Sequence, residues 1–566
     1  MSSHHDTIKQ QQAERLLHAY RRGEIDRRTF LKAASFLGLG PMIAGLAGIQ
    51  SAHAEEPKKG GTLVIAAEAE FEPLEPQIAL GSHTARVTQN HLYETLVQAD
   101  FATSDSPPPF IPGLAQSWDI AGDGKTYTFH LAQGVKFHDG TDFNAAAVKW
   151  NIERQWDQTS LGRSNAPHYS EKVAAVANWR WSESGLREIK VVDPFTVNFH
   201  LEHPFVPLLR LMAQGDVGST CMISPAAYEK YGNEGIADHP VGTGPFRFKE
   251  RIIGDRVVMD RNDDYWDRSR MPYLDTLVWR PINDPTSRES ALQAGEVDFI
   301  FAPNPDSVPL LEQEGLVVSM GPMPHIWVVL FNSVSQPFQD RRVRLAVQHA
   351  IDREGMATSL LSNLVLPAES WISRTSSSYE ETDRWYEYDP DKARALLKEA
   401  GAEGAKLVFA TSTSGSGQIL PVQMGEWIQQ NLNAVGFDTE LQTFEWVAYL
   451  DDFFNGLNPE WDLSQMSWGM TTDYWLTIFL HPDSVFNVSG VKIPELGTLI
   501  DKGHRSTDLE VARQAYREAN ELAKQEAWWM PIVNDLAPVV MSPRVRGFAH
   551  SPDWEMGYFG NVWLAS

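Results

Sequence analysis

The chain carries a single cysteine, Cys221, in 566 residues. One thiol cannot close an intrachain disulfide, so cross-linking adds nothing to the fold. Beyond the first fifty residues there is no run of eighteen apolar residues, and hence no candidate membrane-spanning helix there. Positive charge is scarce: 48 Lys and Arg face 74 Asp and Glu, and a net charge of −26 sets an electrostatic penalty against nucleic-acid binding. The short signatures of common catalysts are missing as well. There is no Gly-x-Ser-x-Gly elbow, no His-Glu-x-x-His and no Cys-x-x-Cys. Gly242-Thr243-Gly244 lacks the Gly-Lys-Ser/Thr ending of a phosphate loop. His130, His138, His200 and His203 fall at no compact metal-ligand spacing.

What remains is ordinary globular composition, with 42% hydrophobic and 22% charged residues, and a length that predicts about three or more domains. The first 54 residues differ from the rest. Arg27-Arg28-Thr29-Phe30-Leu31-Lys32 precedes a glycine-interrupted apolar run from Ala33 to Ile49, and Ala52-His53-Ala54 then offers a small-x-small cleavage site. Basic, apolar and small segments in that order describe a secretory signal. The paired arginines resemble the twin-arginine export signal, although Asp26 stands where Ser or Thr is usual. No cysteine stands directly after the cleavage site, where Glu55 follows, so the expected product, residues 55–566, is a periplasmic protein and not a lipoprotein.

Along that product, Thr62-Leu63-Val64-Ile65-Ala66-Ala67 reads as a buried strand. Asp123-Gly124 predicts a hairpin between Trp118 and the alternating Tyr127–Leu131, and Asp139-Gly140 predicts a second. Helical spacing appears at 91–97, 141–155, 343–362 and 512–525. Another helix is predicted from Pro390 to Ala400, with Asp389 as N-cap and Gly401 after the end. Alternating strands and helices predict α/β lobes. The arginine cluster 341–344 reads as a solvated or salt-bridged helix face and not as an anion site.

Several separated motifs then combine. They are Ile111-Pro112-Gly113-Leu114-Ala115-Gln116-Ser117-Trp118, Gly134-Val135-Lys136-Phe137-His138-Asp139-Gly140, Pro240-Val241-Gly242-Thr243-Gly244-Pro245-Phe246 and Arg261-Asn262-Asp263-Asp264-Tyr265-Trp266. Further along come Leu292-Gln293-Ala294-Gly295-Glu296-Val297-Asp298, Pro337-Phe338-Gln339-Asp340-Arg341-Arg342-Val343-Arg344, Ala350-Ile351-Asp352-Arg353 and Tyr388-Asp389-Pro390-Asp391-Lys392-Ala393. In this order they resemble the extracellular solute-binding proteins of family 5, the peptide- and nickel-binding group.

That resemblance implies a type II periplasmic-binding-protein fold: two α/β lobes joined by a hinge, with an extra domain on the first lobe. The expected first lobe is 55–98, 210–282 and 532–566, the extra domain 99–209 and the second lobe 283–531. The hinge strands are then expected near Trp279–Asn283 and Pro531–Asn534. The implied role is non-enzymatic: a monomer captures a small solute, foremost a di- or oligopeptide, and delivers it to an ABC permease in the inner membrane, with no cofactor. An oligosaccharide, suggested by 19 tryptophans, and chelated nickel or heme are alternative ligands within the same role. A periplasmic hydrolase is the alternative of another class.

In peptide-binding members, an aspartate three residues after a second-lobe Trp pairs with the ligand ammonium. Here Trp468 matches, but Thr471 occupies that position and the acid comes at Asp473. The expected ligand contacts are Trp468, Thr471, Asp473, Tyr474 and Trp475 from this loop, with Glu70 and Phe71 from the first lobe. Arg374 is the expected clamp for a ligand carboxylate.

Overall fold

A computed structural model describes residues 56–71, 74–77, 87–100, 109–156, 181–213, 220–380, 385–415, 417–454, 456–469, 473–474, 479–550 and 558–565. The export signal read at residues 1–54 lies outside them. β1 (Thr62–Ala67) opens a first sheet, and β2 (Val97–Ala99) and β3 (Phe110–Pro112) form a two-stranded ribbon. β4 (Ala115–Ile120), β5 (Thr126–Leu131), β6 (Leu186–Asp193) and β7 (Thr196–Leu201) build a separate antiparallel sheet within the segment 99–209. The chain then returns to the first sheet through β8 (Phe246–Ile252), β9 (Arg256–Arg261), β10 (Thr276–Pro281), β11 (Phe299–Phe301) and β12 (Val317–Ser319). A second sheet follows: β13 (His325–Phe331), β14 (Val365–Pro367), β15 (Lys406–Ser412), β16 (Asp438–Phe444), β17 (Leu463–Gly469) and β18 (Trp529–Asp535). β19 (Val539–Met541) rejoins the first sheet, and β20 (Val545–Arg546) pairs with β21 (Trp563–Leu564).

The first sheet has the order β12-β19-β11-β1-β10-β9-β8, and the second β14-β18-β13-β17-β15-β16. The expected lobe boundary at 283 is therefore corrected. β11 pairs parallel with β1 and β12 pairs with β19, so the first lobe continues to Ser319. Likewise β18 stays in the second sheet through Asp535, beyond the expected hinge at 531–534. The chain crosses between lobes at 320–324 and at 536–538. Strands of three residues, such as β11 and β12, are too short to show a period, which is why the sequence places the boundary too early.

Central strands read as they pack. Every residue of β13 is buried, in keeping with an apolar run covered on both faces. β18 is buried too, although Pro531 cannot donate to a ladder. A register irregularity sits at that point in the pairing with β13, and the Pro531 carbonyl accepts from Arg353 Nε at 2.7 Å. The Asp123-Gly124 hairpin joins β4 to β5, and Asp139-Gly140 turns above a single bridge between Lys136 and Asp142. The helix Pro390–Ala400 has the Asp389 carboxylate accepting from Lys392 N, and Gly401 closes it at φ 67°. Two helix readings change. Residues 91–97 form a turn leading into β2, because Leu92, Leu96 and Val97 are buried from all sides and not along one face. The helix begun at Arg341 stops at Ala350, and Asp352 caps a new turn. Arg342 and Arg344 spend their guanidinium groups on Asp340, the Glu526 carbonyl and the Phe338 carbonyl.

The recurring motifs converge on two buried polar clusters in the first lobe. The Glu94 carboxylate accepts from Thr243 Oγ1 at 2.9 Å, Tyr265 OH at 2.6 Å and Trp266 Nε1 at 2.8 Å, and burial raises its pKa. His138 Nε2 donates to the Gly244 carbonyl at 2.9 Å. A Cβ at Gly242 or Gly244 would lie 2.1 Å from Leu92 O or 2.2 Å from His91 O, so this close backbone approach admits only glycine.

The first lobe and the second each have an apolar core. A third cluster runs from Phe129, Phe199 and Phe205 of the inserted domain to Tyr474, Phe479 and Ile500 of the second lobe. The insertion is attached by chain to the first lobe but packs on the second. Val206 N donates to the His504 carbonyl at 2.9 Å, and His504 Nδ1 lies 2.7 Å from Glu183 Oε1.

Burial lowers the pKa of His138 and of His550 to about 4. An unfolded histidine titrates near 6.5. Between those values the unfolded chain holds more protons, so stability is complete above about pH 6.5 and falls as pH drops toward 4. Thermal unfolding across that range should show a falling midpoint, and His138→Gln should make the fall shallower by removing one of the contributing histidines, His349 being lowered by burial as well. An unchanged slope in the variant would contradict the assignment to His138.

Candidate ligand-binding cleft

Register alone locates the cleft. β13 starts at His325, which pairs with Gly469 at the end of β17, and β15 and β16 run parallel to β17. The carboxyl ends of β15, β16 and β17 therefore lie where the second lobe meets the crossing segments. In the first lobe, β1, β10 and β11 are parallel, and β11 leads to Ala302, whose N–H donates to Pro538 O at 3.2 Å. Strand ends from both lobes thus face one another over the crossings, the position at which α/β sheets present ligands.

The floor consists of the two crossings themselves. Gly321 N donates to Leu536 O at 3.0 Å, and Met323 N to Asp535 O at 3.1 Å. His325 Nδ1 lies 2.8 Å from Asp535 Oδ2, both side chains being buried, while Asp535 Oδ1 accepts from Ala537 N at 2.6 Å. The loop after β15 descends onto this pair. A Cβ at Gly417, where φ is +78°, would sit 3.0 Å from His325 Cε1 and 3.2 Å from Ser467 Oγ. His325, Ser467 and Asp535 were not among the residues expected from sequence.

The second-lobe wall carries Trp468, half-buried at the end of β17. Its ring meets Phe479 at 4.9 Å and Phe486 at 5.4 Å, edge to face. At the same end of the sheet, Thr411 Oγ1, Ser412 Oγ and Asn534 Nδ2 are buried with no hydrogen-bond partner among the described residues. Buried polar atoms are rarely left so, because each costs about 1–3 kcal/mol unpaired.

The remaining expected contacts have protein partners. Asp473 is 7% exposed and accepts from three consecutive hydroxyls: Ser378 at 2.7 Å, Ser377 at 3.2 Å and Ser376. Burial raises its pKa, and the serine hydrogen bonds pull the other way. Tyr474 OH donates to Glu183 Oε2 of the insertion at 3.2 Å, and its ring packs on Phe205 and His504. Thr471 and Trp475 lie outside the described residues. In the first lobe, Phe71 is buried edge-on against Trp279, 6.3 Å between centroids. Glu70 accepts from Gly254 N at 2.7 Å and so holds the β8–β9 turn, whose Arg251 donates to Phe71 O at 2.5 Å. Arg374 is not brought to Trp468. It pairs with Glu369 at 2.8 Å on the flank of the second lobe, in a hollow beside β14. Among the described residues, no three His, Cys, Asp or Glu side chains are grouped to hold a metal ion, and no helix is long and apolar enough to cross a membrane.

Comparison with known proteins agrees with this geometry. The sequence model of the bacterial extracellular solute-binding proteins, family 5 Middle, matches residues 109–490. A glutathione-binding protein, GsiB, of Escherichia coli O1:K1 is 30% identical over 462 residues, 78% of this chain and 83% of that protein. Among solved structures, an ABC transporter-associated periplasmic binding protein, DppA from Helicobacter pylori in complex with the peptide STSA, superimposes with a TM-score of 0.80. The identity is 27%, over 90% of this chain and 98% of that one. A dipeptide-binding protein from Pseudoalteromonas sp. SM9913 in complex with Met-Leu gives 0.78 at 25% identity, over 89% and 100% of the two chains. The motif series, the two-lobed sheets and these matches agree: the chain belongs to family 5 of the bacterial extracellular solute-binding proteins.

Proposed function

We propose that this protein is the periplasmic binding component of an ABC importer and that its ligand is a short peptide, of dipeptide to glutathione size. The ligand names of the similar proteins support this reading. The observation that carries it is Trp468, half-buried at the strand ends that meet the crossings. Its partly open ring offers an apolar face to a peptide side chain. Thr471 and Trp475, read from the same stretch of sequence, are taken as further ligand contacts in this reading. Asp473 acts one step back. Three hydroxyls already fill most of a carboxylate's acceptor capacity, so it anchors the Trp468 loop to residues 376–378 and leaves little for a ligand ammonium. Phe71 and Tyr474 serve packing, and Glu70 shapes the first-lobe rim. Export by the twin-arginine route, with cleavage after Ala54, and action as a monomer complete the proposal.

Thermal unfolding of residues 55–566 with glutathione, di- to pentapeptides, oligosaccharides, heme and nickel chelates tests the ligand class. A peptide at a hundred times its Kd should add about 2.7 kcal/mol. In the same titration Trp468→Ala should weaken peptide binding about tenfold, read as a smaller ligand-induced shift relative to the free variant. A response to sugars or chelates alone would remove the peptide assignment. Replacing Arg27 and Arg28 by lysine should abolish appearance of the mature chain in the periplasm, and continued export would rule out the twin-arginine route.

A further inference from the structure

The inserted domain touches both lobes, and the two contacts are built differently. Toward the first lobe it is fixed by buried, reciprocal bonds. Arg154 grips Glu75 with two nitrogens, Nη1 to Oε1 at 3.1 Å and Nη2 to Oε2 at 3.2 Å, and both side chains are buried. Asn151 Oδ1 accepts from Ile223 N at 2.9 Å while its Nδ2 donates to Ile223 O at 2.9 Å. Gln77 Nε2 donates to the same Asn151 oxygen at 2.9 Å. Arg247 Nη1 donates to His138 O at 2.7 Å. Parting these groups would leave a buried charge and several buried polar atoms unsatisfied. The insertion therefore moves with the first lobe.

Toward the second lobe the described polar contacts gather at one corner, where the end of the helix Pro494–Arg505 meets the insertion. Glu183 is at its centre. One carboxylate oxygen lies 2.7 Å from His504 Nδ1 and the other accepts from Tyr474 OH at 3.2 Å. The Glu183 and His504 side chains are 9% and 2% exposed. Phe205 packs between the two partners, 5.9 Å from the Tyr474 ring and 5.8 Å from the His504 ring, and Val206 N donates to His504 O at 2.9 Å. Burying such a group of polar side chains against one another comes close to balancing the loss of their hydration. A contact of that kind can be made and broken.

Opening the lobes about the crossings at 320–324 and 536–538 carries the insertion off with the first lobe, and this corner parts. It belongs to the closed form. It also adjoins the cleft, because Tyr474 stands shortly after the strand that ends in Trp468 and Gly469.

We propose that Glu183, with His504 and Tyr474, is a latch that holds the two lobes closed whatever the solute, so that part of the empty protein is already closed. The proposal rests on a solute being bound between closing lobes, and not on which solute it is. The closing equilibrium enters the apparent affinity of every solute in the same way, so loosening the latch weakens all of them by one common factor. A side chain that touched the ligand would instead favour some solutes over others.

Residues 55–566 with spin labels on cysteines introduced at Glu296 and Glu403, both exposed, test the latch by pulsed dipolar spectroscopy without any solute. Glu183→Gln and Tyr474→Phe should each move the distribution of separations toward longer distances. Tyr474→Phe keeps the ring that packs on Phe205, so the test stands even where Glu183→Gln disturbs folding. In titrations with glutathione and a panel of di- to pentapeptides, Glu183→Gln should weaken every solute that binds by the same factor, about threefold or more. Where no peptide binds, the peptide reading fails and the solute-free distances still decide on the latch. Solute-free distributions identical to the parent in both variants, or a loss of affinity that differs from one solute to another, would overturn the proposal.

Discussion

The two crossings between lobes are hydrogen-bonded to each other, and the rest of the architecture hangs on that pairing. Gly321 to Leu536 and Met323 to Asp535 make a short ribbon out of segments that arrive from opposite ends of the chain. Sheets on either side are close-packed and deform little, so relative motion of the lobes falls on the few backbone angles of this ribbon. The ribbon also fixes the cleft floor. Asp535 ties its own turn through Ala537 N and holds His325, which begins the central strand of the second lobe. Removing one partner of this buried contact leaves the other group unsatisfied, at about 1–3 kcal/mol. Hinge geometry and cleft chemistry are thus set by the same residues.

The inserted domain adds a second constraint. It leaves and rejoins the chain within the first lobe, yet its apolar core continues into the second through Phe205 and Tyr474. Tyr474 directly follows Asp473, which is clasped by Ser376, Ser377 and Ser378. The loop after β17 is therefore held from two sides, by a serine turn of its own lobe and by Glu183 of the insertion. A ligand that moves this loop acts on the contact between insertion and second lobe as well, which couples occupancy to the relative position of the lobes.

Where the sequence was legible, the determinants were local. Asp389, Pro390 and Gly401 mark a helix because each acts on its own turn. Gly242 and Gly244 belong to a recognisable motif because their backbone touches Leu92 and His91, which no side chain would allow. The failures share a cause. Leu92, Leu96 and Val97 show helical spacing only because all three are buried, and burial from every side erases any period. The pair His325 and Asp535 had no such local mark. His325 and Asp535 stand 210 residues apart, and the serines that hold Asp473 precede it by 95 to 97 residues. Contacts of that range leave no local pattern. Arg374 carried a carboxylate-binding appearance that was chemically sound but misplaced, because only the sheet order reveals that it lies on the flank.

The central claim is that a solute brings the lobes together about the paired crossings. Cys221 is buried and is the sole cysteine, so spin labels on cysteines introduced at exposed Glu296 in the first lobe and Glu403 in the second report selectively. Pulsed dipolar spectroscopy with and without saturating peptide measures their separation. The account predicts a shorter and narrower distance distribution with ligand. An identical distribution at saturation would contradict it.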